Sequence, residues 1–122
     1  MEGMDPLAVL AESRLLPLLT VRGGEDLLGL ARVLEEEGVG ALEITLRTEK
    51  GLEALKALRK SGLLLGAGTV RSPKEAEAAL EAGAAFLVSP GLLEEVAALA
   101  QARGVPYLPG VLTPTEVERA LA

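Results

Sequence analysis

The chain has 122 residues, of which 49% are hydrophobic, and a formal net charge of −6. This length allows one domain at most, and the negative charge and scarcity of aromatic residues argue against a nucleic-acid-binding protein. Because cysteine and histidine are both absent, a cysteine nucleophile, a Ser-His-Asp triad, a disulfide and a histidine-based zinc site are excluded.

Strands and helices alternate along the chain after a short amphipathic segment at residues 1–12. Alternating apolar residues predict strands, and apolar residues spaced by three or four predict helices. The predicted strands cover residues 14–21, 41–47, 63–70, 85–89 and 106–112. The predicted helices cover about residues 25–37, 49–60, 72–82 and 92–103, and a last helix begins near Pro114.

Glycine marks the end of each helix that is followed by a strand. These glycines recur every 21 to 24 residues, the length of one βα unit, at Gly38, Gly62, Gly83 and Gly104. Glycine tolerates the left-handed backbone that closes a helix. Two helix starts, at residues 72–75 and 113–116, combine a hydroxyl N-cap, a proline at the first helical position and a glutamate three residues after the cap.

This regular βα repeat predicts an α/β fold built on a parallel sheet. A small doubly wound sheet is disfavoured, because residues 21–24 after the first strand do not match the glycine-rich dinucleotide turn. We therefore predict a (βα)8 TIM barrel. A complete barrel needs roughly 200 residues or more, so residues 1–122 are expected to be the N-terminal portion of a single barrel domain, with about the first four and a half βα units.

The strand at residues 41–47 carries an unusual face. Leu42, Ile44 and Leu46 share one face, whereas Glu43, Thr45 and Arg47 share the other. A strand in a parallel sheet is covered on both sides, and burying ionisable groups is costly unless they are paired or used. The strand is therefore either a salt-bridged part of the core or one wall of an active site.

Four residues at predicted strand ends are candidate site residues. Glu43 is a candidate general acid or base, or else a core carboxylate paired with an arginine. Arg47 suits bidentate capture of a carboxylate or phosphate, or else lies in solvent at the rim. Thr69 follows the glycines at 66 and 68 and could bind the same anion, and Pro90 lies in a Ser-Pro-Gly helix entry whose small residues leave room for a ligand. The lysines all fall in predicted helices and are interpreted as surface residues: Lys50, Lys56, Lys60 and Lys74.

Four motifs at successive strand ends give the chain a resemblance to a known family. They are Leu-Glu-Ile-Thr-Leu-Arg-Thr at residues 42–48, Gly-Ala-Gly-Thr-Val at 66–70, Ser-Pro-Gly at 89–91 and Pro-Gly at 109–110. In this order they resemble the 2-keto-3-deoxy-6-phosphogluconate aldolase family, also called 4-hydroxy-2-oxoglutarate aldolase. The resemblance runs from about residue 8 to the end.

The resemblance implies a class I aldolase on a (βα)8 barrel, independent of metal and other cofactors, and usually a homotrimer. It implies that Glu43 transfers protons, Arg47 binds the carboxylate of a 2-oxo acid substrate, Thr69 contacts the substrate and Pro90 forms part of the pocket wall. The Schiff-base lysine of the family lies on the sixth strand, so it is expected beyond Ala122. The products would be pyruvate and either glyceraldehyde 3-phosphate or glyoxylate.

Two other functions remain compatible with the residues. One is another phosphate-binding TIM-barrel synthase or isomerase, and the other is a non-catalytic half-barrel that self-associates through the open edges of its first and fifth strands.

No apolar run reaches the ~18 residues of a membrane span, and the N-terminus lacks the basic segment of a signal peptide. We therefore expect a cytoplasmic protein with no membrane partner.

Overall fold

The structure of the chain is a computed structural model that describes residues 5–122. Helices and strands alternate from the first helix to the last. The helices are α1 (Pro6–Ser13), α2 (Leu27–Glu36), α3 (Gly51–Leu58), α4 (Pro73–Ala82), α5 (Glu94–Arg103) and α6 (Pro114–Leu121). The strands are β1 (Leu18–Leu19), β2 (Ala41–Thr45), β3 (Leu64–Gly68), β4 (Phe86–Ser89) and β5 (Tyr107–Pro109). No helix among these residues is long and apolar enough to cross a bilayer.

The five strands form one parallel sheet in the order β1-β2-β3-β4-β5. A doubly wound sheet would reverse its strand order at a switch point, whereas a barrel adds each strand beside the previous one. The sequential order is therefore that of a barrel wall. The helices α2, α3, α4 and α5 cover the outer face of this wall, where Leu42, Ile44 and Leu87 pack against them.

The opposite face of the sheet, which we call the inner face, has its own small core at the N-terminal end of the strands. Ala41 and Leu64, the first residues of β2 and β3, pack there with Phe86 and with Val9 from α1. The predicted amphipathic segment at residues 1–12 is thus a helix over most of its described part, and residues 1–4 lie outside the described residues. Helix α1 closes this end of the sheet, so the inner face is accessible from the C-terminal end of the strands.

Several predicted strands are shorter in the structure than in the sequence prediction. The predicted strand at 14–21 pairs only at Leu18–Leu19, and Arg14 at its predicted start instead caps the end of α1 in a left-handed conformation (φ 60°). Strand β2 ends at Thr45, so Arg47 lies beyond the strand, whereas the sequence predicted it on the strand. Gly62 does not adopt the left-handed backbone that the glycine repeat predicts, and its N–H donates to Glu35 instead.

The predicted helix caps are largely confirmed. Thr113 and Glu116 form a capping box at the start of α6, and the Ser72 hydroxyl accepts from the backbone N–H of Glu75 at the start of α4. Gly83 and Gly104 end α4 and α5 in left-handed conformations. The two N-caps fix where the loops after β3 and β5 end, and the two glycines fix where the chain turns back toward the next strand.

Candidate active site

Glu43 lies on the inner face of the sheet, where the sequence pattern predicts it. The register pairs Glu43 with Leu18 on β1 and with Gly66 on β3, and Gly66 in turn pairs with Phe86 on β4. These residues form one layer across the inner face. The next layer toward the C-terminal end contains Thr45 and its partner Gly68.

The carboxyl group of Glu43 reaches out of its own layer into the next one. A Cβ atom added at Gly68 would lie 2.7 Å from the carboxyl carbon of Glu43 and closer still to Oε2. The side chain therefore lies across Gly68 and carries its carboxylate toward the open end of the sheet. Gly66 makes room in the same way for the ring of Phe86. Both glycines are needed so that these side chains can pack across the sheet, a role that the sequence analysis does not predict. The sequence signal for it is their spacing of two residues, which puts both glycines on the same face of the strand.

The surroundings of the Glu43 carboxylate favour its protonated form. The residue is 4% exposed, and burial raises its pKa, while the positive charge of Arg47 lowers it to a smaller extent. Among residues 5–122, no group donates a hydrogen bond to the carboxylate. The ion pairs in this part of the chain join Arg103 to Glu77 and Arg119 to Glu94, so neither involves Glu43. Every fully buried side-chain oxygen in this part of the chain has a hydrogen-bond partner. The Glu43 carboxylate has none, so its oxygens are not fully buried and keep some contact with solvent. Within residues 5–122, Glu43 is thus not a salt-bridged core residue.

Arg47 lies in the loop after β2 and is exposed. It lines a cleft between the β2–α3 loop and α4, together with Leu52, Lys74 and Ala78. The guanidinium is nevertheless near enough to lower the pKa of Glu43. The structure therefore places Arg47 in solvent at the C-terminal rim of the sheet and Glu43 within the inner face.

Thr69 follows Gly68 directly and has a strained backbone. Its φ of 58° is left-handed, which is rare for a residue with a β-branched side chain. The residue is half-buried, and among residues 5–122 its hydroxyl has no hydrogen-bond partner. Such strain costs on the order of 1–3 kcal/mol and concentrates at functional sites. The conformation therefore supports Thr69 as a candidate binding residue.

Pro90 is exposed at the end of β4, and its backbone is fixed by its neighbours. The hydroxyl of the buried Ser89 donates to the carbonyl of Val70 over 2.6 Å, and the N–H of Gly110 donates to the carbonyl of Ser89 over 2.9 Å. These bonds join the ends of β3, β4 and β5. The predicted helix entry at Ser-Pro-Gly is wrong, because α5 begins only at Glu94; residues 90–93 form a loop at the mouth of the sheet.

The site contains one proton-transfer group and two candidate binding groups. Among residues 5–122, no group of three acidic side chains lies close enough together to hold a metal ion. The structure instead brings together one carboxylate with a raised pKa, a rim arginine and a strained threonine at the C-terminal ends of adjacent strands. This arrangement can exchange a proton with a ligand and bind an anionic group beside it.

Comparisons with known proteins identify the family. A family model described as "Aldolase: KDPG and KHG aldolase" matches residues 7–122. The 2-dehydro-3-deoxy-phosphogluconate aldolase of Treponema pallidum (strain Nichols) is 44% identical over 110 residues, which cover 88% of this chain and 52% of that protein. The chain spans about half the length of the curated relatives it matches.

Solved structures agree with this assignment. The 2-keto-3-deoxy-6-phosphogluconate aldolase of Zymomonas mobilis ZM4, solved with 3-phosphoglycerate, matches with a TM-score of 0.88 at 36% identity, over 96% of this chain and 56% of that one. The KDPG aldolase of Legionella pneumophila, solved with pyruvate captured as a covalent carbinolamine intermediate, matches with a TM-score of 0.85 at 36% identity, over 97% of this chain and 58% of that one. The predicted α/β fold is confirmed as part of a TIM-type barrel, and the chain belongs to the KDPG and KHG aldolase family.

Proposed function

We propose that this chain supplies the proton-transfer and carboxylate-binding side of a class I aldolase. The complete enzyme would cleave 2-keto-3-deoxy-6-phosphogluconate, 4-hydroxy-2-oxoglutarate or both, to pyruvate and glyceraldehyde 3-phosphate or glyoxylate. The observation that carries the proposal is the Glu43 carboxylate, which lies on the inner face of a barrel sheet with no salt bridge to residues 5–122 and with its pKa raised by burial. The carbinolamine captured in the Legionella protein supports the same chemistry in a relative.

In the proposed reaction, a lysine beyond Ala122 supplies the nucleophile. Its amine adds to the C2 carbonyl of the 2-oxo acid and water leaves, which gives a protonated imine. Glu43 then takes the proton of the C4 hydroxyl, through a water, as the C3–C4 bond breaks. The C4 oxygen becomes the aldehyde carbonyl, and the bonding electrons move through C3 and C2 to the imine nitrogen. Protonation at C3 and hydrolysis of the imine release pyruvate and the free lysine.

The other candidate residues receive binding roles in this proposal. The Arg47 guanidinium would pair with the substrate carboxylate from the rim, where its planar donors match two carboxylate oxygens. The Thr69 hydroxyl, free of partners in residues 5–122, would donate to the substrate beside it. Pro90 would form part of the pocket wall at the end of β4. We further propose that residues 1–122 are the N-terminal portion of one barrel domain in a cytoplasmic homotrimer.

Reductive trapping tests the proposed chemistry directly. The complete protein should be treated with borohydride in the presence of pyruvate, because borohydride reduces an imine to a stable amine. We expect a mass increase corresponding to one reduced pyruvate on a single lysine outside residues 1–122. Borohydride without pyruvate, and pyruvate without borohydride, are the controls. A protein that cleaves the substrates but never forms this adduct would refute the class I mechanism.

The pKa of Glu43 predicts the pH dependence of the reaction. Only the ionised carboxylate can take the C4 hydroxyl proton, and burial raises the pKa of Glu43 above its ordinary value. As pH falls through this raised pKa, kcat/KM should therefore fall. We expect the acidic limb of the kcat/KM profile to lie above the ordinary pKa of glutamate and to disappear in Glu43→Gln. A limb at the ordinary glutamate pKa would contradict the assignment.

Arg47→Lys is expected to raise KM for the 2-oxo acid about tenfold with a smaller change in kcat. A lysine keeps the positive charge but loses the planar pair of donors, which removes one charge-assisted hydrogen bond worth ~1.5 kcal/mol. The control is Arg32→Lys, on the exposed surface of α2, which should leave both constants unchanged. KM and kcat should be measured by steady-state kinetics on the complete protein. An unaltered KM in Arg47→Lys would show that Arg47 does not bind the substrate carboxylate.

A further inference from the structure

Two threonine hydroxyls meet at the C-terminal ends of β1 and β2. Thr45 is the last residue of β2, and Thr20 follows β1, directly opposite Thr45 as the register continues. Their Oγ1 atoms are 2.8 Å apart. Both side chains therefore lie on the inner face, one layer nearer the open end of the sheet than the backbone of Glu43.

The burial of Thr45 determines the direction of this hydrogen bond. Each hydroxyl has one proton, and the single bond between them uses only one of the two. Thr45 is 0% exposed, and within residues 5–122 its hydroxyl has no other partner. A buried donor left without an acceptor costs about 1–3 kcal/mol. Thr45 therefore donates to Thr20, and the Thr20 proton remains available.

The Thr20 proton has no acceptor in the described part of the chain. Thr20 is only partly buried, and its hydroxyl makes no hydrogen bond other than the one to Thr45. The free O–H is therefore available to a ligand on the inner face. Adjacent strands lie about 4.8 Å apart, so Thr20 and Gly68 flank Thr45 in the same layer, and the Glu43 carboxylate lies across Gly68.

We propose that Thr20 is a substrate-binding residue whose hydroxyl donates to the C4 oxygen of the 2-oxo acid. This inference rests on the proposed aldolase function. The oxygen that loses its proton to Glu43 must lie within hydrogen-bond reach of that carboxylate or of one bridging water, and Thr20 presents the free donor on the same layer of the same face. The hydrogen bond strengthens as the C4 oxygen gains negative charge, and it remains on the aldehyde carbonyl after the C3–C4 bond has broken.

Valine replaces threonine without a change of shape, so four variants of the complete protein test the proposal. Thr20→Val removes the free donor but leaves the Thr45 proton without an acceptor. The double variant Thr20→Val/Thr45→Val removes both hydroxyls, which is close to neutral for stability. Thr45→Val alone keeps the Thr20 donor, and Thr20→Ser keeps both hydroxyls. Thr115→Val, on the exposed start of α6, is the surface control.

We expect the two variants that lack the Thr20 hydroxyl to lose about tenfold in kcat for cleavage, the effect of one hydrogen bond. Thr45→Val, Thr20→Ser and Thr115→Val should cleave at close to the wild-type rate. Pyruvate has no C4, so borohydride trapping of pyruvate should be equal in all of them. The thermal midpoint of the double variant should match the wild type, which separates the lost donor from a packing defect.

Three results would overturn the role of Thr20. They are normal cleavage by the double variant, a loss in Thr20→Ser as large as in Thr20→Val, and a parallel loss of pyruvate trapping. Failure of the wild-type protein to trap pyruvate is a different result, because it would refute the aldolase function and this inference with it. Wild-type trapping combined with normal cleavage by the double variant would refute the role of Thr20 alone.

Discussion

Glu43→Gln should lower kcat for aldol cleavage by about 10² to 10⁴ in the complete protein while leaving the fold intact. Glutamine has the shape of glutamate but cannot take a proton from the C4 hydroxyl. The matched control is Glu53→Gln on the exposed surface of α3, which should keep full activity. Wild-type turnover in Glu43→Gln would remove this carboxylate from the mechanism.

The same substitution should make the protein more stable at neutral pH. Burial raises the folded-state pKa of Glu43 above its unfolded value, so ionisation of this group weakens the folded state as pH rises through the folded pKa. Glutamine carries no charge and avoids that cost. We expect a higher thermal midpoint for Glu43→Gln than for the wild type at neutral pH, and no difference at acid pH, where the carboxyl is protonated in both states. An equal gain at every pH would mean that the effect is not electrostatic.

Gly68→Ala should reduce turnover about 10²-fold without unfolding the protein. The added methyl group would overlap the Glu43 carboxyl, whose carbon would be only 2.7 Å away, so the side chain has to move by about 1 Å or more. The backbone of Gly68 is not left-handed and accepts alanine. Kinetics and thermal unfolding should be measured together, because a displaced catalytic group lowers kcat while the thermal midpoint changes little.

Two other glycines provide the comparison. Gly66→Ala places its methyl group on the ring of Phe86, which is completely buried and cannot move aside, so a loss of about 1–3 kcal/mol in stability is expected. Gly40→Ala, at the other end of the sheet, places its methyl group 3.5 Å from Val9 and should change neither property. If Gly68→Ala kept full turnover, the position of the carboxylate over Gly68 would not matter for catalysis.

The sequence alone predicted the features that depend on local patterns. Alternation along residues 41–45 placed Glu43 on one face and Leu42 and Ile44 on the other, and the structure confirms both orientations. The capping pattern at Thr113 was equally local and equally well predicted. In each case the physical cause lies within a few residues of the feature, so the sequence contains it.

Features that depend on the pairing of distant residues were not predicted. The contact of Glu43 with Gly68 and the bond between Thr20 and Thr45 depend on strand register, which no single segment specifies. Arg47 was expected on the strand face because its position fits the alternation. The strand ends two residues earlier, where the N–H of Leu46 bonds to the carbonyl of Gly68 and the chain turns away.

Helix α1 has a consequence for the order of events in the proposed reaction. It packs through Val9 against Ala41, Leu64 and Phe86, so this end of the described sheet offers no passage to Glu43. In the proposed mechanism, the water that hydrolyses the imine would then have to arrive by the route through which the aldehyde departs. A bound aldehyde would obstruct that route until it leaves, which would favour sequential product release and limit premature loss of the bound intermediate.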